Sequence, residues 1–330
     1  MPVRTRWRCV IERCATEEPT LTDIGSSLPP VRSVAMTYSL IARDPATGAF
    51  GVAAQSHWFN VGQPVAWVRF GVGAVASQAS ADPSYGWRGL ALMAEGVEPS
   101  RALRDLSNAD AGREQRQVAM MNASGAVATR TGSECIAYAG HMTGDGWSAQ
   151  GNLLSTPVVV EAMAAAYEAS QGPLVERMLI ALEAAEAAGG DLRGRQSAVI
   201  RIVSDATAAE TAAGDGIDLR VCDHEDPIGE MRRLVMVDAA YRQLEMGLVA
   251  IDDGRDEEAV AHLDAAVQPG HARELEFWRA IGLVRLDRVD EAVVAFGHLA
   301  DAQPMYADLL ARVAKVDPIA ADLQNAWNHH

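Results

Sequence analysis

Residues 37–43 read Thr37-Tyr38-Ser39-Leu40-Ile41-Ala42-Arg43, and residues 50–55 read Phe50-Gly51-Val52-Ala53-Ala54-Gln55. Between them stands Asp44-Pro45-Ala46-Thr47-Gly48, which has the residue types of a tight turn. Two apolar, strand-like segments joined by such a turn predict a β-hairpin. Further extended segments at 65–70 and 72–77 place four strands before the first helix.

The elements that follow alternate between pairs of helices and groups of strands. Helices are predicted at 85–95, 99–108, 157–170 and 173–188, and strands at 117–122, 126–130, 135–139, 197–203 and 217–222. Runs of strands separated by paired helices indicate an α+β architecture rather than repeated βαβ units. We therefore expect a layered α+β domain over 36–226, preceded by a disordered extension over 1–35.

After Asp226 the pattern becomes helical and contains an internal echo. Residues 255–260 and 288–293 are similar and lie 33 positions apart, close to the period of about 34 residues in tetratricopeptide repeats. Gly247 precedes Ala259 by twelve residues, and Leu263 follows Ala259 by four; Ala280, Ala292 and Phe296 repeat this spacing. Residues 227–330 thus resemble an all-α, tetratricopeptide-like domain, with a closing helix over 305–316.

Composition limits the classes of function. With 49% hydrophobic and 22% charged residues the chain has the composition of a soluble globular protein. Its formal net charge of −16 opposes binding to nucleic acid or anionic membranes, and it contains no run of eighteen apolar residues. The four cysteines form no C-x-x-C pair, so we expect a reducing, cytoplasmic location. Because no glycine pattern matches a nucleotide-binding loop, we expect no cofactor.

Two polar groups are candidates for a site. Ser148, Gln150 and Asn152 alternate along one predicted strand and would share a face that could recognise an amide, the alternative being a polar face exposed to water. Ser56 and His57 are adjacent on a strand, so they point to opposite faces and cannot act as a nucleophile and its base, although one of them can still line a site.

A third candidate group follows the glycines at 189 and 190. Arg193, Arg195 and Gln196 could bind an anion, since arginine binds carboxylates through two hydrogen bonds; the alternative is a solvated turn with salt bridges. His141 and the acidic run at 223–226 carry groups that can bind metal, but no ligand spacing unites them, and we expect no metal site.

Several separate motifs resemble, in order, those of the domain of unknown function 1028 family. They are TYSLIARD at 37–44, GVA at 51–53, SH at 56–57, DPSYG at 82–86, GHMTG at 140–144, SAQGN at 148–152 and RGRQS at 193–197. That family is assigned to the N-terminal nucleophile hydrolase superfamily. The resemblance implies a four-layer αββα sandwich over 36–226.

The resemblance also implies a chemistry. Thr37 would be the nucleophile, and its α-amine would be the base once Thr37 is the first residue. Ser39, two residues on, could orient or replace it. The sequence departs from the proteasome pattern because its single lysine is Lys315 and only Arg69 lies near the expected position of the activating lysine. Three possibilities are open for the residues before Thr37. Translation begins at Met36, or these residues are an autoprocessed propeptide, or the domain is inert and Thr37 stays internal.

The leading hypothesis is hydrolysis of an amide bond in a small amide or peptide substrate. Ser148, Gln150 and Asn152 would donate hydrogen bonds, Arg193 or Arg195 would hold a carboxylate, and Ser56, His57, His141 and Gln196 would line the site. The competing hypothesis is a non-catalytic scaffold whose helical tail binds a peptide, with Tyr241, Phe277 and Trp278 as groove or core residues. Self-association into a homo-oligomer is expected under either hypothesis.

Overall fold

The computed structural model describes residues 37–204, 216–267 and 273–330. The extension predicted over 1–35 lies outside the described residues. The strands are β1 Thr37–Arg43, β2 Phe50–Ser56, β3 Ala66–Arg69, β4 Gly73–Ala79, β5 Arg116–Asn122, β6 Val127–Thr131, β7 Gly140–Gly144, β8 Trp147–Gly151, β9 Ser197–Val203 and β10 Ile217–Val221. The helices are α1 Gly62–Val65, α2 Ser84–Ala94, α3 Pro99–Ala109, α4 Val159–Ala169, α5 Leu174–Ala187, α6 Pro227–Asp252, α7 Asp256–Ala266, α8 Arg273–Arg285, α9 Val289–Ala302, α10 Met305–Val313 and α11 Pro318–Asn328.

The described strands form two antiparallel sheets. The larger sheet has the order β10-β9-β2-β1-β8-β7, and the smaller has the order β3-β4-β5-β6. Strand β1 lies inside the larger sheet, with Thr37 opposite Ser56 of β2 and Tyr38 opposite both Gln55 and Gly151. The predicted α+β class and the β1–β2 hairpin are confirmed.

Three apolar cores hold these layers together. Between the sheets, Ile41 and Val52 of the larger sheet pack with Ala74 and Met121 of the smaller. Helices α4 and α5 cover the outer face of the larger sheet, and α2 and α3 cover the outer face of the smaller. Because side chains alternate along a strand, β1 turns Thr37, Ser39 and Ile41 toward the other sheet and Tyr38, Leu40 and Ala42 toward the helices.

The strand predicted over 135–139 is wrong. The strand is β7, and the two residues Asp145-Gly146 join it to β8 as a tight hairpin, with Gly146 at a φ of 71°. An Asp-Gly pair is a strong signal for a two-residue loop and fixes the pairing on either side of it. Residues 135–139 instead make irregular backbone bonds, such as that from the Leu153 amide to the Ile136 carbonyl at 2.8 Å.

The C-terminal region is helical, and its first helix is shared with the sheet region. Ile228, Met231 and Val235 of α6 belong to the core beneath the larger sheet, whereas Ala240 and Leu244 of the same helix pack with α7 and α8. The closing helix predicted over 305–316 corresponds to α10, which ends at Val313, and a further helix, α11, follows it. The Asp317 carboxylate caps α11 by accepting from the backbone amides of Ile319 and Ala320. No helix in the described ranges is long and apolar enough to cross a bilayer.

Gly51 lies where two backbones approach closely. A Cβ at this position would overlap the Arg201 carbonyl oxygen of β9 and lie 2.9 Å from the Ile202 Cα. Backbone atoms at the centre of a sheet cannot move aside as a side chain can, so only glycine fits here.

Gly51→Ala is therefore expected to lower the free energy of unfolding by at least about 2 kcal/mol, because β2 and β9 must separate to admit the methyl group. The matched control is Gly140→Ala in β7, where an added Cβ would meet no described atom within 4 Å. Chemical denaturation of both variants measures the difference. Equal stabilities for the two variants would contradict this explanation of Gly51.

Candidate functional site

The space between the sheets is apolar at one end and polar at the other. The polar end contains six side chains that we call the Thr37 cluster: Thr37, Ser39, Gln78, Gln117, Gln150 and Asn152. Each is at most 1% exposed. They come from β1, β4, β5, β8 and the residue after β8, so this cluster joins the two sheets at one end.

The main chain of Thr37 is held firmly. Its carbonyl oxygen accepts hydrogen bonds from Gln78 Nε2 at 2.9 Å, from the backbone amide of Asn152 at 3.1 Å and from Asn152 Nδ2 at 3.4 Å. Its side chain differs, because Thr37 Oγ1 is buried and meets no hydrogen-bond partner among the described residues. A buried hydroxyl without a partner is costly and calls for an explanation, and a catalytic role is one such explanation.

Ser39 is already engaged by the neighbouring amides. Its hydroxyl donates to Gln78 Oε1 at 2.6 Å and accepts from Gln150 Nε2 at 3.3 Å. Gln150 Nε2 also donates to the Ala76 carbonyl at 3.2 Å, whereas Gln150 Oε1 is buried and finds no partner within the described part of the chain. Ser39 therefore fixes the orientation of two amides beside Thr37.

Gln117 connects the cluster. Its Oε1 accepts from Gln78 Nε2 at 2.8 Å and from Asn152 Nδ2 at 3.0 Å, the two side chains that also hold the Thr37 carbonyl. Its Nε2 donates to the carbonyls of Gly151 and Gly140 and to Thr131 Oγ1 at 2.8–3.0 Å. The sequence analysis does not identify Gln78 or Gln117 as site residues. On its own strand each glutamine lies at alternate positions with small or apolar residues that face inward, and this alternation is the sequence signal for its position.

Two residues that follow cluster members have unusual backbone angles. Ala79 has a φ of 68° and Leu153 a φ of 45°, and they directly follow Gln78 and Asn152. Non-glycine residues seldom adopt this left-handed region, which costs about 1–3 kcal/mol and is often found at functional sites. Ala79 is the last residue of β4, and Leu153 lies two residues after the end of β8, so both unusual angles occur where a strand that carries one of these amides ends.

The face predicted for Ser148, Gln150 and Asn152 exists, and it is buried between the sheets rather than exposed to water. Ser148 lies beside the cluster and shares a 2.8 Å hydrogen bond with Thr129 of β6. His141 is exposed, and its Nδ1 lies 2.8 Å from Thr131 Oγ1, which also bonds Gln117. Partial desolvation of its ring holds the pKa of His141 below its ordinary value.

Ser56 is also next to Thr37, because the two residues are directly opposite each other on β1 and β2. Side chains opposite each other on antiparallel strands lie on the same face, about 5 Å apart at Cβ. His57 is exposed, and its Nδ1 lies 3.2 Å from the Arg195 carbonyl oxygen. Ser56 and His57 thus belong to different surroundings, as the alternation of a strand predicts.

The arginines proposed to hold a substrate carboxylate are paired with carboxylates of the chain. Arg193 binds Asp191 through Nε at 3.1 Å and Nη2 at 2.8 Å. Arg195 lies 2.9 Å from Glu186 and 3.1 Å from Asp226. A substrate carboxylate at either arginine would have to displace these partners.

Gln196 donates from Nε2 to Asp223 at 3.2 Å. Together with His57, Arg195 and His224 it lines an open cleft of about 500 Å³. Glu186 connects this cleft to β1, because the buried Tyr38 hydroxyl donates to it at 2.7 Å. Burial and the Glu186 charge both raise the pKa of Tyr38, so the hydroxyl stays protonated.

Metal-capable side chains do not converge in the described ranges, where no three or more His, Cys, Asp or Glu residues form a group that could hold an ion. In the run at 223–226 the Asp226 backbone amide donates to His224 Nδ1 at 2.9 Å, and the Asp223 and Asp226 carboxylates pair with Gln196 and Arg195.

The cluster's contribution to stability can be measured by comparing two buried glutamines. Gln117→Leu should lower the free energy of unfolding by about 2–4 kcal/mol, because it leaves donors and acceptors of the cluster unpaired. Gln55 faces the helices, and neither its Nε2 nor its Oε1 has a partner among the described residues. Gln55→Leu should therefore raise stability by about 1–2 kcal/mol. Denaturant unfolding checks both, and a loss of equal size in the two variants would contradict the assignment.

Comparison with known proteins identifies the family to which the chain belongs. Residues 37–231 match the family of unknown function named DUF1028. The crystal structure of protein SPO2555 from Silicibacter pomeroyi, a DUF1028 protein, is similar, with 34% sequence identity and a TM-score of 0.55 over 61% of this chain and 84% of that chain. No curated protein matches the chain. The family that the sequence motifs indicated is thus confirmed, and the chain belongs to the DUF1028 family.

Proposed function

We propose that the chain is an N-terminal nucleophile hydrolase that cleaves an amide bond in a small substrate, with Thr37 as the nucleophile. The observation that carries this proposal is the buried Thr37 Oγ1, which lacks a partner among the described residues while the carbonyl of the same residue is held by Gln78 and Asn152. A fixed backbone with an uncommitted hydroxyl suits a nucleophile.

The layering supports the superfamily assignment. Helices α2 and α3, the smaller sheet, the larger sheet, and helices α4 and α5 follow one another in packing order. That is the αββα order implied by the resemblance to N-terminal nucleophile hydrolases. Thr37 is the first residue of a strand inside one of the two facing sheets, where that superfamily carries its nucleophile.

The reaction requires Thr37 to be the first residue of the mature chain. Thr37 Oγ would attack the substrate carbonyl carbon while its proton passes to the α-amine, and the tetrahedral intermediate would then collapse. The C–N bond breaks, the departing amine takes the proton, and the acyl group remains as an ester on Thr37. Water attacks this ester, which releases the acid and restores the hydroxyl.

The environment suits the α-amine as the base. All six residues of the Thr37 cluster are uncharged and buried, and burial without a counter-charge lowers the pKa of an amine below its ordinary value of about 7.7–8.0. A larger share of the α-amine would then be unprotonated at neutral pH. No lysine is needed, and Arg69 lies at the exposed end of β3.

The other predicted site residues take refined roles in this proposal. Asn152 and Gln78 position Thr37 through its carbonyl, and Ser39 positions Gln78 and Gln150. Gln150 Oε1 is the free acceptor of the cluster, since it has no partner within the described residues, and it is available to a substrate N–H or to the α-amine. Ser148 and Ser56 would line the same space.

For the helical region we infer two tetratricopeptide-type hairpins, α6 with α7 and α8 with α9. Close approach supports this, because a Cβ on Gly247 would lie 2.9 Å from Leu263 Cγ. Ala259, Ala280, Ala292 and Phe296, which carry the 33-residue echo, are fully buried as helix contacts. Phe277 is also core, so a peptide partner of this region would use other residues. A cytoplasmic location and self-association remain proposals.

The test labels a terminal threonine with acetyl-alanine epoxyketone, a reagent that needs both a hydroxyl and an α-amine on one residue to form its ring. A chain expressed from Met36, whose methionine is removed before threonine, should gain the full mass of the reagent on the peptide beginning at Thr37. Thr37→Ala should lower labelling by at least about 10³-fold, and Thr37→Ser should retain it.

The matched control is Thr47→Ala, which removes an exposed threonine of the β1–β2 turn and should leave labelling unchanged. Hydrolysis of a panel of N-acetyl amino acid amides is measured on the same samples by mass spectrometry. An unlabelled Thr37 together with equal hydrolysis by wild type and Thr37→Ala would contradict the proposal and favour the scaffold hypothesis.

A further inference from the structure

A second cleft, of about 540 Å³, lies at the open edge where β6 and β7 meet helix α3. We call it the edge cleft, and its polar lining includes Arg104, Arg113, Arg130, Thr131 and His141. Within the described residues its lining contains three arginines and no aspartate or glutamate. That is unusual for a chain of formal net charge −16, and it makes this cleft a region of positive potential.

The arginines are only partly neutralised by neighbouring carboxylates. Arg130 and Arg113 share Glu114, with nitrogen–oxygen distances of 2.7 Å and 3.4 Å. Arg104 lies 3.9 Å from Asp105, which is nearer to Arg101 at 3.5 Å. Three cationic side chains thus share two carboxylates that also serve other residues, which leaves an excess of positive charge at the cleft.

One donor in the edge cleft is buried and unused. Arg130 Nε is inaccessible to solvent and meets no acceptor in the described part of the chain, although Nη2 of the same guanidinium bonds Glu114. A buried donor that belongs to a charged group is expensive to leave unpaired. The Arg130 side chain as a whole is 32% exposed, so an anion in the cleft would meet its exposed part and offset the charge of this guanidinium.

We propose that the edge cleft binds a small organic anion through a carboxylate or phosphate group, held by Arg130 and Arg104. Arginine presents a planar set of donors that matches both oxyanions, and the cleft volume lies within the range of small-molecule sites. Apolar surface from Leu103, Val127 and Ala128 would contact the remainder of the ligand.

The edge cleft also touches the outer end of the hydrogen-bond network described above. His141 and Thr131 line the cleft, and Thr131 bonds Gln117, whose partners Gln78 and Asn152 hold the Thr37 carbonyl. The binding proposal nevertheless concerns a separate site. It holds whether or not Thr37 turns over a substrate.

The experiment is isothermal titration in a buffer free of phosphate and carboxylate, with glutarate, inorganic phosphate and uncharged glutaramide as probes. Binding of glutarate, of phosphate or of both is expected, with no heat from glutaramide; which anion binds more tightly identifies the group recognised. Arg130→Gln and Arg104→Gln should each weaken binding about tenfold, the effect of removing one charged hydrogen bond.

Arg88→Gln is the matched control, since it removes the same charge from an exposed position on α2 outside the cleft lining and should leave affinity unchanged. Thermal unfolding without ligand verifies that each variant is folded. If Arg130→Gln is unstable, the Arg104→Gln variant alone decides the test, because Arg104 is exposed. The proposal is overturned if neither anion binds, if glutaramide binds equally well, or if Arg104→Gln binds as tightly as wild type.

Discussion

The carbonyl oxygen of Thr37 is the point at which the two sheets are tied together. It accepts from Asn152 of the larger sheet and from Gln78 of the smaller, and both donors also meet at Gln117 Oε1. A buried amide that loses its hydrogen bonds is costly, so these side chains are stabilised in their mutual positions. The relative placement of β1, β4, β5 and the end of β8 follows from that requirement.

The polar atoms of the Thr37 cluster fall into two kinds, those with a hydrogen-bond partner and those without one. In the Thr37 cluster, as far as the described residues extend, the unpaired atoms are Thr37 Oγ1 and Gln150 Oε1. In this buried, uncharged cluster the hydroxyl is placed to attack a carbonyl and the amide oxygen to accept a hydrogen bond. Charge lies elsewhere, since Arg193 and Arg195 pair with carboxylates and the edge cleft gathers Arg104, Arg113 and Arg130.

Sequence patterns predict correctly the features that depend on residues close together in the chain. Alternation placed Ser148, Gln150 and Asn152 on one face and separated Ser56 from His57, and the motifs identified the family. Sequence reasoning missed Gln78 and Gln117, because their role depends on pairing between strands far apart in sequence. The prediction of a strand over 135–139 is wrong, because the Asp145-Gly146 loop pairs β7 at 140–144 with β8. Arg193 pairs with Asp191, which is close to it in the sequence. Arg195 pairs with Glu186 and Asp226, which only the tertiary fold brings near it.

We propose that Thr37 acts as a terminal residue whose α-amine and hydroxyl work together. The most direct measurement is the N-terminal sequence and intact mass of the protein isolated from its own cells. We expect a mature chain that begins at Thr37, with a free α-amine. A native chain that retains Met36 or any earlier residue would contradict it, because the base would then be locked in a peptide bond.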